Sequence, residues 1–598
     1  MAHHEYKSLA ERHIRLLKLP KASQYGAEPT LVDASLDAPP PYETISYVWG
    51  EQDKSCVFKL DCGTLVNITP TLRTTLTRIR PHCQTGYLWV DQLCVDQTSI
   101  PDRNQQVALM GEIYSKCQRV LIWLGQEIND PNYMSYYLGP TPPLEIQQKT
   151  KHTPLSASRL EQPGPQSFVR NLLALPWFTR AWVVQEAALP TLASCFLGAF
   201  NFSIEDLWAV IVHFRSAERY LTQRDYVNLR QLPGYIVLNE ILRLRMQARY
   251  QRGPTPNEAT CFYHSLSIFA PRSQTSSRHD IIFAFLGLQR DQRVSIMPDY
   301  DMDWDAVPCV ATKAIIEATG SLNLFGLLHR KDEDASRWPI LPSWVPDWSR
   351  TPEAEPLVFP RSWIYFDASA GRHYEARAVK DLATPHLVVA GKIIGEVANT
   401  LAFTKGLAEP LANRHGWDVF SYLNLLHLHK LLGQMWLEKT IAPSMQRLLK
   451  VILADGSFTL NQKLREHCSE GLPASDIDEL ASTYLAIQEA SKERDVAAMS
   501  RSKKVDDFGK RATRFRDHAR VAWGRQIIVG RDWRLGLAHR SVCEGDLICV
   551  VHGSQVPFVL RRQTSGYYRL MGQCYFESAM RGEEVIWDEA DADEFILA

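Results

Sequence analysis

Apolar positions in the first 200 residues follow two alternating rhythms. Short continuous runs, rich in β-branched and aromatic residues, read as buried strands: Ile14 to Leu19 before Pro20, Thr44 to Gly50, Tyr87 to Val90, Val120 to Gly125 and Leu192 to Leu197. Between them apolar residues recur every three or four positions. Pro70 to Arg80 places Leu72, Leu76 and Ile79 on one helical face. A second helix is expected to start at Asp102, with Gln105 in capping-box position and Val107, Met110, Tyr114 and Cys117 as its stripe. Val57 to Leu60 and Leu65 to Ile68 flank Asp61-Cys62-Gly63-Thr64 and read as a hairpin, while Pro20 to Pro41 reads as a connector. Strand, helix and strand joined by short links indicate a parallel α/β sheet.

The rhythm changes downstream. Residues 127 to 165 are polar and dotted with proline, as in a surface insertion. Pro176 opens a stretch that reads as one helix to Glu186, which would put Trp182 and Glu186 on the same face one turn apart. Residues 201 to 290 are mostly helical in pattern, with Ile236 to Arg249 as one clear element. Residues 291 to 350 carry many Trp, Pro and Asp and suggest irregular packed loops. Trp417 to Leu453 and the basic interval Arg501 to Arg525 are helical in pattern, and short β-rich runs follow to the C-terminus. The expected organisation is a strand and connector (1–41), an α/β domain (42–200), a mainly helical region with packing loops (201–350), a mixed then helical region (351–525) and a small β module (526–598).

Composition excludes several function classes. The 598 residues suffice for roughly three or four domains. With 66 basic against 67 acidic residues the net charge is -1, which leaves no electrostatic footprint for nucleic acid. The 12 cysteines show no C-x-x-C spacing and fit reduced thiols of a cytoplasmic protein. No secretory leader and no long apolar run for a membrane span is visible. P-loop and G-x-S-x-G signatures are absent, and His427 and His429 lie two apart in a helical pattern, unsuited to sharing a metal.

Candidate chemistry concentrates at strand ends. Asp91 and Asp96 directly follow the Tyr87 strand, at the carboxyl end where open α/β sheets bind ligands. Ser46, Tyr47 and Trp49 lie at the end of another strand and are candidates for the same rim. Cys94 reads as a buried thiol. For Glu186 the residues alone leave two readings open: a carboxylate partly desolvated beside Trp182 and available for chemistry, or a structural partner of Arg180.

Four blocks in order give the N-terminal part a specific resemblance to the fungal heterokaryon incompatibility (HET) domain. They are Tyr42 to Gly50, Leu88 to Gln97, Gln106 to Tyr114 with Val120 to Gly125 behind it, and Pro176 to Glu186. Gln92 departs from the family's usual small residue. The Arg278 to Leu288 block, in which His279 interrupts an Arg-Asp pair, the Leu341 to Ser349 block, and Gly545 to Ile548 with later segments resemble recurrent family blocks and are assigned scaffold roles. HET domains are in turn distantly similar to Toll-type (TIR) domains, which have a flavodoxin-like sheet and in some cases hydrolyse NAD through a glutamate in a Trp-x-x-x-Glu helix. The resemblance therefore implies Glu186 as catalytic carboxylate, with Trp182, Asp91, Tyr47, Trp49, Arg180 and Ser46 around the substrate, no metal, and NAD as substrate rather than cofactor. It also implies self-association, a protein partner from an incompatibility system, and a role in nonself recognition and regulated cell death. The rival expectation is a non-enzymatic module that nucleates a death-signalling assembly.

Overall fold

The computed structural model describes residues 3–20, 27–50, 53–126, 164–217, 232–249, 258–289, 294–328, 341–352, 354, 356–358, 366–374, 386–403, 445–452, 454, 520–588 and 591–598. All but the last two residues of the insertion expected at 127 to 165, the pair His427 and His429, and most of the two helical patterns after Trp417 lie outside these residues; the described part of the first pattern is the helix Met445–Ile452. The chain forms two compact units, Met1–Val307 and Pro308–Ala598.

The first unit is built on a sheet of β1 (His13–Lys18), β2 (Thr30–Ser35), β3 (Glu43–Ser46), β6 (Tyr87–Trp89), β7 (Arg119–Gly125), β8 (Ala193–Leu197) and β9 (Phe200–Ser203). A separate hairpin pairs β4 (Cys56–Lys59) with β5 (Leu65–Ile68), as expected from the flanked turn. Strands β6, β3, β7 and β8 are parallel neighbours, while β1, β2 and β9 add antiparallel edges. The parallel strands thus run across the sheet in the order second, first, third, fourth of their order along the chain. Every residue of β3 is buried, as are Val120 to Leu124 of β7, which is why these runs carry no alternation. Ile45, Leu121 and Trp123 pack with Leu72, Leu76 and Ile79 from the Pro70–Ile79 helix.

Four local expectations need correction. The connector before Pro41 contains β2, which pairs with β1 along its whole length. The second helix starts earlier than Asp102: it runs Ile100–Lys116, and the Ser99 hydroxyl caps the Asp102 N–H. Asp102 instead receives both guanidinium nitrogens of Arg15, at 2.9 and 3.0 Å, in a buried pair that ties β1 to this helix. Pro176 to Glu186 is not one helix. A 3-10 turn, Pro176–Thr179, ends at an extended Arg180, and a separate helix covers Val183–Ala188 with Trp182 as its N-cap. Finally, the stretch read as irregular loops contains the helix Ala306–Thr319. Its Pro308 falls in the first turn, where no intrahelical N–H bond is lost.

Helices Ile204–Ala217, Pro233–Arg249 and Glu258–Phe269 follow the first sheet. A close approach joins the Ile100–Lys116 helix to the turn Leu286–Leu288. A Cβ on Gly111 would meet the Gly287 Cα at 2.7 Å, so both positions need glycine. Among the described residues no helix is long and apolar enough to cross a membrane.

The second unit closes a barrel. Strands β10 (Leu387–Leu401), β11 (Arg525–Gly530), β12 (Leu535–His539), β15 (Tyr568–Phe576), β14 (Phe558–Arg562) and β13 (Leu547–Val551) pair in sequence, and β13 returns to β10. β16 (Asp593–Leu597) runs beside β10 and touches β15. β10 can serve both ends of the ring because its register shifts near Ile393 and again near Val397, which bends the strand. Val397, Ile528, Ile548, Val559, Met571 and Phe576 belong to its buried core.

Candidate functional site

The parallel strands of the first unit end in the same direction, and a cavity of about 800 Å³ borders the carboxyl ends of two of them, β3 and β6. β3 leads into it through Tyr47 to Gly50. This turn needs glycine, because Gly50 has a φ of +71° and a Cβ there would meet the Thr71 hydroxyl at 2.4 Å. β6 leads into it through Val90 and Asp91. Trp49 and Asp91 form part of the wall, with Arg180 and Trp182 also bordering the cavity. Asp91 is held by three donors: the Tyr47 hydroxyl at 3.0 Å, the Trp49 indole N–H at 2.6 Å and the Gln92 N–H at 2.8 Å. Burial raises the Asp91 pKa, against the opposing pull of Arg180 and these donors.

A second aspartate faces the same cavity from a segment assigned a packing role by sequence. Asp280 receives the Trp182 indole N–H at 3.1 Å and the Tyr300 hydroxyl at 2.7 Å. Its pKa is also raised by burial, with the Tyr300 and Trp182 donors opposing. Each cavity aspartate is thus bound by one tyrosine and one tryptophan. The segment is docked by backbone pairing of Gln274 with Arg180, including a 2.5 Å bond from the Gln274 N–H to the Thr179 carbonyl. Tyr300 is fixed by its own N–H, which donates to Asn104 on the Ile100–Lys116 helix. Neither Asp280 nor Tyr300 was picked out as a site residue from the sequence. The pairing of an acid with an aromatic donor 20 residues away carries no short-range signal.

Glu186 occupies a different place from Trp182. It is only 2% exposed and is not among the residues lining the cavity. Its Oε2 accepts the Ser46 hydroxyl at 2.5 Å, and Ser46 in turn accepts the Trp177 indole N–H at 2.9 Å. Burial lifts its pKa to about 7; Arg180 opposes this and Asp91 adds to it. Arg180 forms no ion pair with it at contact distance among the described residues. Instead the Arg180 guanidinium lies 6.0 Å from the Tyr47 ring centre. Although the Glu186 N–H bonds to the Trp182 carbonyl one helical turn back, the Trp182 indole donates to Asp280 while the Glu186 carboxyl binds Ser46. The Tyr114 hydroxyl donates to the Ile45 carbonyl at 3.5 Å, and its ring packs edge-on against Trp89, itself a cavity residue.

Of the sequence candidates, the structure brings Asp91, Trp49, Arg180 and Trp182 to one cavity. Tyr47 stands behind Asp91, while Ser46 and Glu186 form a buried pair. Gln92 has a local reason: its side chain exchanges hydrogen bonds with Thr69, the N-cap of the Pro70–Ile79 helix. The Cys94 thiol is buried and pushed up to about 12 by desolvation. Asp96 binds the Thr98 N–H and hydroxyl in a turn.

Residues 42–186, which include β3, β6, Asp91 and Glu186, match the family described as heterokaryon incompatibility protein (HET). The chain carries a HET domain. Residues 458–598 match the Het-6 β-barrel domain, which includes β11 to β16. Over an alignment of 670 positions the chain is 24% identical to heterokaryon incompatibility protein 6, OR allele, of Neurospora crassa, covering 98% of this chain and 96% of that relative. No solved structure matches the chain. Asp280 and Tyr300 fall beyond the matched HET residues, so part of the cavity wall is supplied by the chain that follows the HET domain.

Proposed function

We propose that this protein acts in fungal nonself recognition, and that its HET domain takes a nucleotide of the NAD class in the cavity at the strand ends. The strand order second, first, third, fourth is the beginning of the flavodoxin-like order, whose ligands bind beyond the carboxyl ends of the strands. That supports a TIR-like reading of the domain. The observation that carries the proposal is the cavity itself: flat aromatic walls from Trp49 and Trp182, acids at Asp91 and Asp280, and guanidinium groups beside them.

The reaction we assign is cleavage of the nicotinamide–ribose bond. The carbon–nitrogen bond breaks with its electron pair going to the ring nitrogen, nicotinamide leaves uncharged, and water adds to the ribose carbon while its proton passes to a carboxylate or to solvent. A carboxylate stabilises the cationic sugar that forms on the way. In the arrangement described here Glu186 is closed off and about half protonated near pH 7. Opening it to water removes the desolvation that raises its pKa, and it ionises. We propose that self-association supplies that opening, which makes the resting form silent and links killing to assembly.

One observation favours the rival class. The Glu186 carboxyl is sealed and already bonded to Ser46, as a packing residue would be. On that reading the domain is an interaction module that nucleates an assembly, and a partner supplies the toxicity. Expression of the native chain and of Glu186→Gln in a fungal host separates the two. Loss of cell death in the variant at equal protein level supports cleavage, and undiminished death supports the module.

A further inference from the structure

The cavity aspartates both spend their oxygens on uncharged donors, which leaves the cationic groups around them without acids. Lys54, Arg103 and Arg180 line the cavity, and among the described residues none of them has a carboxylate within ion-pair distance. The Arg103 guanidinium carbon lies over the Tyr300 ring, 4.1 Å from its centre. A guanidinium stacked this way keeps its edge N–H groups free for a planar or tetrahedral anion. Tyr300 cannot drift, because its hydroxyl is bound to Asp280 and its backbone N–H to Asn104. The same Asp280 fixes the Trp182 indole. One more donor waits in this wall: the indole N–H of cavity-lining Trp89 is buried and has no acceptor. The unspent groups are therefore donors and cations, and their complement is an acceptor-rich anion that also carries a ring.

We propose that Arg103 and Arg180 form a pyrophosphate subsite, and that Asp280 and Tyr300, from beyond the HET match, are the positioning residues that hold it. Arg103 rests on Tyr300, Tyr300 rests on Asp280, and Asp280 also orients Trp182 as a stacking wall for the ligand's ring. The HET-matched residues alone lack this second wall. The inference rests on the reading of the cavity as a nucleotide site and names the residues that read the phosphates.

Calorimetric titration of the full chain with three probes tests it: inorganic pyrophosphate, ADP-ribose and nicotinamide. The native chain binds ADP-ribose more tightly than pyrophosphate, and both affinities fall as salt is raised. Arg103→Ala weakens both anions by roughly tenfold or more, as expected for charge-assisted hydrogen bonds. Arg103→Lys, which keeps the charge but not the flat face, restores part of the loss. Trp49→Ala weakens ADP-ribose and leaves pyrophosphate unchanged. Tyr300→Phe keeps the ring under Arg103 but frees Asp280, and it weakens ADP-ribose with the native thermal midpoint retained. Unchanged anion affinity in a folded Arg103→Ala, no binding of either anion by the native chain at millimolar concentration, or equal affinity for the two anions would each overturn the proposal. Its failure is separable from that of the cleavage reading. ADP-ribose binding that depends on Arg103 without NAD turnover leaves the subsite and removes the chemistry. NAD turnover with an unchanged KM in Arg103→Ala does the reverse.

Discussion

In the N-terminal unit the parallel strands point the same way, and the segments beyond β3 and β6 help to line a cavity walled by Asp91, Asp280, Arg103, Arg180 and three tryptophans. In the C-terminal unit β10 bends until the strands meet in a ring, and its buried core is apolar, from Val397 to Phe576. Both units use buried strands, and in the open sheet charged groups gather at the cavity beyond β3 and β6. An open parallel sheet must end somewhere, and its loops bring polar side chains from distant segments to one place. The barrel therefore reads as a stability element and the cavity as a site held at some cost in stability.

The largest expected effect lies in the barrel. Phe576→Ala removes a fully buried ring from that core and is expected to destabilise the second unit by about 4 kcal/mol in denaturant unfolding. A loss under about 1 kcal/mol would mean that the barrel is not tightly packed and would blur the contrast. Within the first unit the matching structural anchor is Arg15. Arg15→Ala leaves Asp102 buried without its cation and is expected to cost about 3 kcal/mol.

Glu186 gives a pH-dependent effect of opposite sign. Its folded pKa, about 7, lies above the ordinary carboxylate value, so the folded chain holds a proton that the unfolded chain releases. The stability contribution of this group is greatest below the unfolded value and declines as pH rises through the folded one. Glu186→Gln removes the cost of burying a charge. It should raise the thermal midpoint at pH 8, by a gain on the order of 1–3 kcal/mol, and change little at pH 5. An equal shift at both pH values would show that Glu186 is not desolvated in solution. The smallest change belongs to the cavity wall. Asp280→Asn keeps one acceptor for Tyr300 or Trp182 and relieves a buried charge, so unfolding should shift by about 1 kcal/mol or less while ADP-ribose affinity falls. A large destabilisation would make Asp280 part of the core rather than of the site.

Much of the first sheet was legible in the chain. Runs such as Val120 to Leu124 have no alternation because both faces are covered, and that signal is local. β2 was missed because its residues are only partly buried at the sheet edge, with Asp33 exposed, so the apolar signal is weak. The single helix expected from Pro176 failed at Arg180, whose backbone is extended to pair with Gln274, a long-range contact that overrides helix propensity. The cavity was half legible. Asp91 and Trp49 announce themselves at strand ends, whereas Asp280 and Tyr300 arrive from another segment and are recognisable only once the fold places them beside Trp182. The Trp-x-x-x-Glu spacing is one helical turn in the structure too, with the Glu186 N–H bonded to the Trp182 carbonyl, yet the two side chains take different partners, Asp280 and Ser46, which the spacing could not reveal.

Release of nicotinamide from NAD by the purified full chain, free and forcibly oligomerised, is the most direct test of whether this cavity does chemistry. The account predicts little release from the free chain, clear release on oligomerisation, and none from an equally folded and oligomerised Glu186→Gln. Release that survives the Gln substitution, or no release from the native chain in either state, would contradict it.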